Sequence, residues 1–124
     1  HIRRAEYQNK GHGAVYALLH KEGDCTELMY LFIALCRANG IPARCIAGYV
    51  CTHDTVLKPQ DYHNWAEFYL GSTWLISDPY NGIFAKNGSD YIAMRIFGAA
   101  KDDSRFRFDR FRCDSDTLRV VMDQ

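Results

Sequence analysis

The sequence has no surplus of charge of either sign. Its 124 residues carry 15 Lys and Arg against 15 Asp and Glu, so the formal net charge is zero. Binding to nucleic-acid phosphates or to an anionic membrane surface draws on a cationic surplus. We therefore expect neither a nucleic-acid partner nor a membrane partner.

Long apolar runs and cysteines are also scarce. No apolar stretch approaches the roughly 20 residues that span a bilayer. The polar start His1–Arg4 shows no secretory leader, so the compartment stays open. The five cysteines are too few, and odd in number, for a disulfide scaffold. One bridge, Cys51–Cys113, stays open, and Cys36 is expected to be a buried, inert thiol.

Close Cys-x-x-Cys pairing, which is typical of structural zinc sites, is absent too. The candidate ligands Cys45, Cys51, His53 and Cys113 are spread along the chain. We expect no metal and no cofactor.

The composition is that of an ordinary globular protein, with 48% hydrophobic and 24% charged residues, which predicts one domain over residues 1–124. Without an initiator Met, that domain is expected to be processed, trimmed or excised from a longer protein.

The strongest pattern is a helix at Cys25–Ala38, apolar nearly all round and therefore buried. Asp24 is a good N-cap, and Glu27 follows it at the spacing of a capping box. Gly40 suits the C-terminal cap, and Pro42 prevents the helix from continuing.

Strand-like segments follow this helix, which predicts an α+β fold with the helix packed on an antiparallel sheet. A weaker helical signal precedes it at Ala14–Leu19. The predicted strands are Ala43–Cys51, His63–Leu70, Thr73–Asp78, an edge strand Arg105–Cys113 and a final strand Leu118–Met122. Residues 52–62 and 80–90 are predicted to be loops, and Tyr91–Phe97 a short strand or a turn of helix.

Three residues could carry nucleophilic chemistry. Cys25 would be the first residue of the helix, where the helix dipole and unpaired N–H groups favour a thiolate. Gly71-Ser72 predicts a hairpin in which His63 lies opposite Asp78 or diagonal to it on the same face, depending on the turn. A carboxylate beside an imidazole fixes its tautomer. The set therefore supplies a nucleophile, a base and an orienting carboxylate.

Aromatic residues share the His63 face of this hairpin. Trp65, Tyr69, Trp74 and Ile76 are interpreted mainly as core residues packed on the Cys25 helix, with Trp65 or Trp74 as the alternative lining of a cleft. The alternating run Arg105–Arg112 is interpreted as an amphipathic edge strand rather than a platform for single-stranded nucleic acid.

Several blocks of the sequence resemble the transglutaminase-like superfamily, and the core of peptide N-glycanases among similar proteins. The blocks occur in the family's order: Gly23–Glu27, Leu35–Arg44, Gly48–Tyr49, Tyr62–Tyr69 and Trp74–Pro79. Tyr80 departs from the pattern, since many relatives have Thr or Ser there. No acidic cluster of the calcium-binding kind is visible.

The resemblance implies a papain-like cysteine-hydrolase core with Cys25 as nucleophile, His63 as base and Asp78 as third member. The expected function is acyl transfer through a thioester on Cys25, with a peptide or protein amide as substrate and hydrolysis favoured over cross-linking. The alternative is a non-catalytic peptide- or glycan-binding module.

Relatives also use an upstream oxyanion donor, for which the candidates here are Tyr16, His20 and Gln8. Asp24, Tyr16 and His20 are further candidates to line the cleft. The oligomeric state stays open.

Overall fold

The structure is a computed structural model that describes residues 1–97, 112–113 and 115–119. Most of the predicted edge strand at Arg105–Cys113 lies outside these residues, although Arg112 and Cys113 do form a strand. Leu118 and Arg119, at the start of the predicted final strand, are not in a strand, and the rest of that segment lies outside the described residues.

Two helices and eight strands make up the described part of the chain. The helices are α1 at Gly13–His20 and α2 at Cys25–Ala38, with a 3₁₀ turn at Pro59–Asp61. The strands are β1 at Arg3–Arg4, β2 at Glu22–Gly23, β3 at Ala43–Val50, β4 at His63–Leu70, β5 at Thr73–Asp78, β6 at Ile83–Lys86, β7 at Tyr91–Phe97 and β8 at Arg112–Cys113. Neither α1 nor α2 is long and apolar enough to cross a membrane.

Helix α2 has the predicted start and end. The Asp24 carboxylate accepts from the Thr26 N–H at 2.8 Å, and the Glu27 carboxylate accepts from the Asp24 N–H at 3.2 Å, which completes the capping box. At the other end Gly40 has φ 72°, and the Ile41 N–H returns to the Cys36 carbonyl at 2.9 Å.

The main sheet is antiparallel, with strand order β6-β5-β4-β3-β7-β8. Strand β3 is central and pairs with β4 on one side and β7 on the other. Gly48 allows β3 and β7 to pair closely. A Cβ at this position would lie 2.0 Å from the Ile92 carbonyl oxygen, so any side chain would force the two strands apart. The prediction of an α+β fold with a buried helix on an antiparallel sheet is confirmed.

The β4–β5 hairpin adopts the second of the two predicted registers. Leu70 pairs with Thr73 and Ala66 with Ser77, so that Asp78 lies diagonal to His63. Gly71 and Ser72 have φ values of 58° and 72°, the signature of a type I′ turn. The turn end of the hairpin is therefore fixed by two residues in left-handed conformation.

The sheet buries a different cluster on each face. The face toward α2 packs helix residues against β3 and β4; its buried members are Met29, Ile33, Cys36, Ala43, Cys45, Ala66 and Phe68. The opposite face buries Ile46, Trp65, Ile76, Tyr91 and Ala93. The prediction that Trp65 and Ile76, which share a face with His63, pack on the Cys25 helix is therefore wrong. Alternation determines which residues share a face, but not which face the helix covers.

Two other sequence predictions need correction. The segment 80–90 was predicted to be loop but contains strand β6, a four-residue edge strand beside a bulge in β5. The Asn and Gly residues on either side of it are typical of loops, so the short strand gave no clear pattern. Tyr69 and Trp74, predicted to be core, are substantially exposed and contact each other with ring centroids 5.4 Å apart.

Candidate active site

Helix α2 begins at the edge of a cleft of about 1080 Å³. Cys25 is the first residue of the helix, is partly exposed and lines this cleft. Because the Asp24 side chain satisfies the Thr26 N–H, the cap shapes the turn that presents the thiol. The thiol thus lies at the positive end of the helix, where a developing anion is stabilised.

His63 and Asp78 stand at the same end of the sheet, because β4 begins at His63 and β5 ends at Asp78. The imidazole Nε2 lies 2.8 Å from Asp78 Oδ2. The Asp78 side chain is fully buried, whereas His63 opens onto the cleft. The Cys25 thiol lines the same cleft, close enough to the imidazole to raise the pKa of His63. The three predicted residues are therefore brought together.

The electrostatics of this cluster favour a charged imidazolium. Burial alone would lower the pKa of His63, but its hydrogen bonds to Asp78 and Cys25 and their charges outweigh burial and raise that pKa from 6.5 to about 9. For Asp78, burial would raise the pKa, yet hydrogen bonds and charge from His63, with help from Asn81, hold the pKa below its ordinary value.

The residues of this cluster lie within a region that matches a known protein family. The family model of the transglutaminase-like superfamily matches residues 1–79. The chain belongs to the transglutaminase-like superfamily. That match includes Cys25, His63 and Asp78 and stops before the segment in which the sequence pattern weakens.

A solved structure, named as that of a putative cysteine protease from Cytophaga hutchinsonii, is also similar to this transglutaminase-like chain. The two are 32% identical with a TM-score of 0.53, and the match covers 64% of this chain but only 26% of the other. The chain therefore spans about a quarter of the length of that protein. No curated protein matched. Together with the family match, this likeness indicates a cysteine-dependent enzyme at a coarse level.

The N-terminal segment of the transglutaminase-like domain forms one wall of the cleft. The Gln8 N–H donates to Asp24 Oδ2 at 3.1 Å, and the His12 N–H donates to Glu27 Oε1 at 2.8 Å. The capping residues of α2 therefore also hold this wall. Burial would raise the pKa of Asp24, but hydrogen bonds from Glu27, Gln8 and Thr26 lower it overall.

Only some of the predicted cleft residues lie in the cleft. Asp24 lines it, and so does Gln8, one of the three oxyanion candidates. Tyr16 and His20 stack on each other along α1, with ring centroids 4.3 Å apart, and are not among the residues that line it.

Trp65 and Trp74 lie elsewhere. Both line a separate cavity of about 330 Å³ on the sheet face away from α2. There the Arg44 guanidinium lies 3.8 Å from the centroid of the Trp74 ring and donates from Nε and Nη2 to Glu67 Oε2 at 2.9 and 2.6 Å. These contacts tie Arg44 to two side chains of the same sheet face, which indicates a structural role.

Two cysteines behave as packing residues. Cys36 and Cys45 are buried in the cluster under α2, and burial raises the pKa of both thiols. The predicted burial of Cys36 is confirmed. The side chain of Cys113 lies outside the described residues, so the question of a Cys51–Cys113 bridge stays open.

Sequence reasoning missed two residues that contact Asp78. Asn81 donates from Nδ2 to Asp78 Oδ2 at 2.7 Å and from its backbone N–H to Oδ1 at 3.2 Å. The Tyr91 hydroxyl donates to Oδ2 at 3.0 Å. The position of Asn81, three residues after an Asp and within a Pro-containing turn, is a local signal that could have indicated the first contact. Nothing local points to Tyr91, which comes from another strand.

Proposed function

We propose that this chain hydrolyses a peptide or other amide bond through a thioester on Cys25. One observation carries the proposal: Cys25, at a helix N-terminus, and His63 line the same open cleft, and the His63 imidazole is hydrogen-bonded to the buried Asp78 carboxylate. This arrangement matches the geometric requirements for a nucleophile, a base and an orienting group.

The reaction uses each group in turn. The Cys25 thiolate attacks the amide carbon, and the imidazolium of His63 protonates the departing amine as the C–N bond breaks. A water molecule then enters; His63 takes its proton while the oxygen attacks the thioester carbon. The C–S bond breaks, which releases the carboxylic acid and restores the thiolate–imidazolium pair. Asp78 keeps the imidazole oriented in both steps.

Two groups are suited to the oxyanion that forms on the carbonyl oxygen. The backbone N–H of Cys25 is at the N-terminus of α2, where amide donors point out of the helix. The Gln8 side chain is the second, because it lies in the cleft wall while Tyr16 and His20 do not line the cleft. The Gln8 Oε1 lies 3.1 Å from His12 Nε2, which leaves the amide –NH₂ as the end that can donate to a substrate.

The deciding experiment is labelling with a thiol-reactive acyl probe, read residue by residue by mass spectrometry. We expect Cys25 to react fastest, with labelling abolished in Cys25→Ala and unchanged in the matched control Cys36→Ala. An ester or amide turnover assay on Cys25→Ser should show at least a thousandfold loss, because a hydroxyl is far harder to deprotonate. Equal labelling of all five cysteines, together with no turnover by the wild type, would instead favour a peptide- or glycan-binding module. Normal turnover in Cys25→Ser would rule out the thioester on Cys25.

A further inference from the structure

Asp78 Oδ2 accepts from three donors that come from three parts of the chain. His63 Nε2 lies 2.8 Å away on β4, Asn81 Nδ2 lies 2.7 Å away in the turn after β5, and the Tyr91 hydroxyl lies 3.0 Å away on β7. The second oxygen, Oδ1, accepts from the Asn81 backbone N–H. The carboxylate therefore cannot rotate about its Cβ–Cγ bond without breaking at least two of these bonds.

We propose that Tyr91 is a positioning residue for the candidate triad, which fixes the Asp78 carboxylate from the buried side while Asn81 fixes it from the cleft side. The inference rests on the proposed function, and it goes beyond that function by assigning a role to a strand outside the region of family resemblance. Asn81 lines the cleft and is exposed, whereas Tyr91 is buried.

Packing holds the Tyr91 ring in place for this role. The ring meets Trp65 edge-to-face, with centroids 4.9 Å apart, and Trp65 itself stacks on His63 at 6.3 Å. Both Tyr91 and Trp65 belong to the buried cluster on the sheet face away from α2. This cluster therefore contacts the site through two rings: Trp65 contacts the His63 imidazole, and Tyr91 contacts the Asp78 carboxylate.

Sharing one oxygen among three donors has a chemical consequence. Each donor stabilises the Asp78 carboxylate anion and makes it less basic. The carboxylate therefore stabilises the protonated His63 ring less strongly than it would without the other two donors. Burial and the Asp78 charge both raise the pKa of the Tyr91 phenol, which keeps it protonated and a donor at all ordinary pH values. Among the described residues, the Cys25 thiol also acts on the pKa of His63, and the Asp90 charge acts on the pKa of Tyr91.

The test compares Tyr91→Phe with Tyr69→Phe, because each removes one phenolic hydroxyl and only Tyr91 contacts the site. Turnover of a p-nitrophenyl ester should fall about tenfold in Tyr91→Phe with KM within twofold of wild type, which corresponds to one hydrogen bond lost from the reacting arrangement. The His63 ring, titrated by heteronuclear NMR and assigned with His63→Gln, should keep its proton to higher pH in Tyr91→Phe, since Asp78 becomes more basic. Tyr69→Phe should leave both readouts unchanged.

A second variant covers the donor on the other side. Asn81→Ala changes an exposed position, so its folding is not in question, and the double variant with Tyr91→Phe should lose more turnover than the product of the single losses. Wild-type turnover and an unchanged His63 titration in Tyr91→Phe would overturn the inference and show that the hydroxyl merely finds a buried partner. Failure of the proposed function looks different: wild type itself would give no Cys25-dependent turnover, while the NMR titration would still report the effect of Tyr91 on the pair.

Discussion

The two ends of the β4–β5 hairpin differ in almost every physical respect. At the turn end Leu70 is 53% exposed, and the chain reverses in two residues with positive φ. At the open end Asp78 is 0% exposed and is held by donors from three segments. One register joins the two ends, so a slip of one residue at the turn would move Asp78 to the other face of the sheet. The turn thus sets the geometry of the site without touching it.

The largest effect should come from the open end. Asp78→Asn removes the charge but keeps the shape, so the fold should survive while turnover falls by about 10²–10⁴ with little change in KM. Steady-state kinetics on an ester or amide substrate, with circular dichroism as the folding control, would measure this. A loss of activity that appeared only as a higher KM would mean that Asp78 contributes to substrate binding rather than to the orientation of His63.

The charged pair at the open end, His63 and Asp78, should make the stability of the protein depend on pH. The pKa of His63 is raised from 6.5 to about 9, so its contribution is fully present below pH 6.5 and is lost as pH rises through 9. The pKa of Asp78 is lowered, so its contribution is present above its ordinary value near 3.8 and is lost as pH falls through the depressed value. Urea unfolding should show a decline on the order of 2 kcal/mol between pH 6.5 and 9. Asp78→Asn should flatten that decline, whereas an identical slope in the variant would contradict the pairing.

A smaller loss should follow from the helix start. Asp24→Ala leaves the N–H groups of Thr26 and Gln8 without their carboxylate partner, so stability should fall by about 1–2 kcal/mol. Thermal or chemical unfolding would measure it, with Asp24→Asn as the matched control that still caps. An Asp24→Ala variant with normal stability but reduced turnover would show that Asp24 belongs to the chemistry and not to the cap.

The smallest effect should come from the turn. Ser72 holds φ 72°, a conformation in which glycine avoids a steric cost, so Ser72→Gly should stabilise the protein by about 0.5–1 kcal/mol. Turnover should not change, because the register is preserved. Differential scanning calorimetry and the ester assay would check both halves; a change in turnover would show that the turn adjusts the His63–Asp78 distance.

Local signals explain what the sequence could predict. The bounds of α2, its capping box and both strands of the hairpin depend on residues close together in the chain, and all of them were predicted. His63 and Asp78 could be placed together because strand alternation needs only the turn position. Contacts between distant segments gave no such signal, so Tyr91 and the N-terminal wall with Gln8 and His12 were missed or left open. The face of Trp65 was assigned wrongly because both sheet faces carry large apolar residues.

The central place of β3 also has a consequence for the order in which a newly made chain gains reactivity. The Cys25 helix leaves the ribosome before the strands of the main sheet, and its cap can form within a few residues. His63, Asp78 and Tyr91 emerge later and meet only when β4, β5 and β7 have docked on either side of β3. Until that long-range pairing is complete, the thiol has no imidazole beside it. If Cys25 is the nucleophile, as proposed above, the nascent protein would stay unreactive until its sheet has formed.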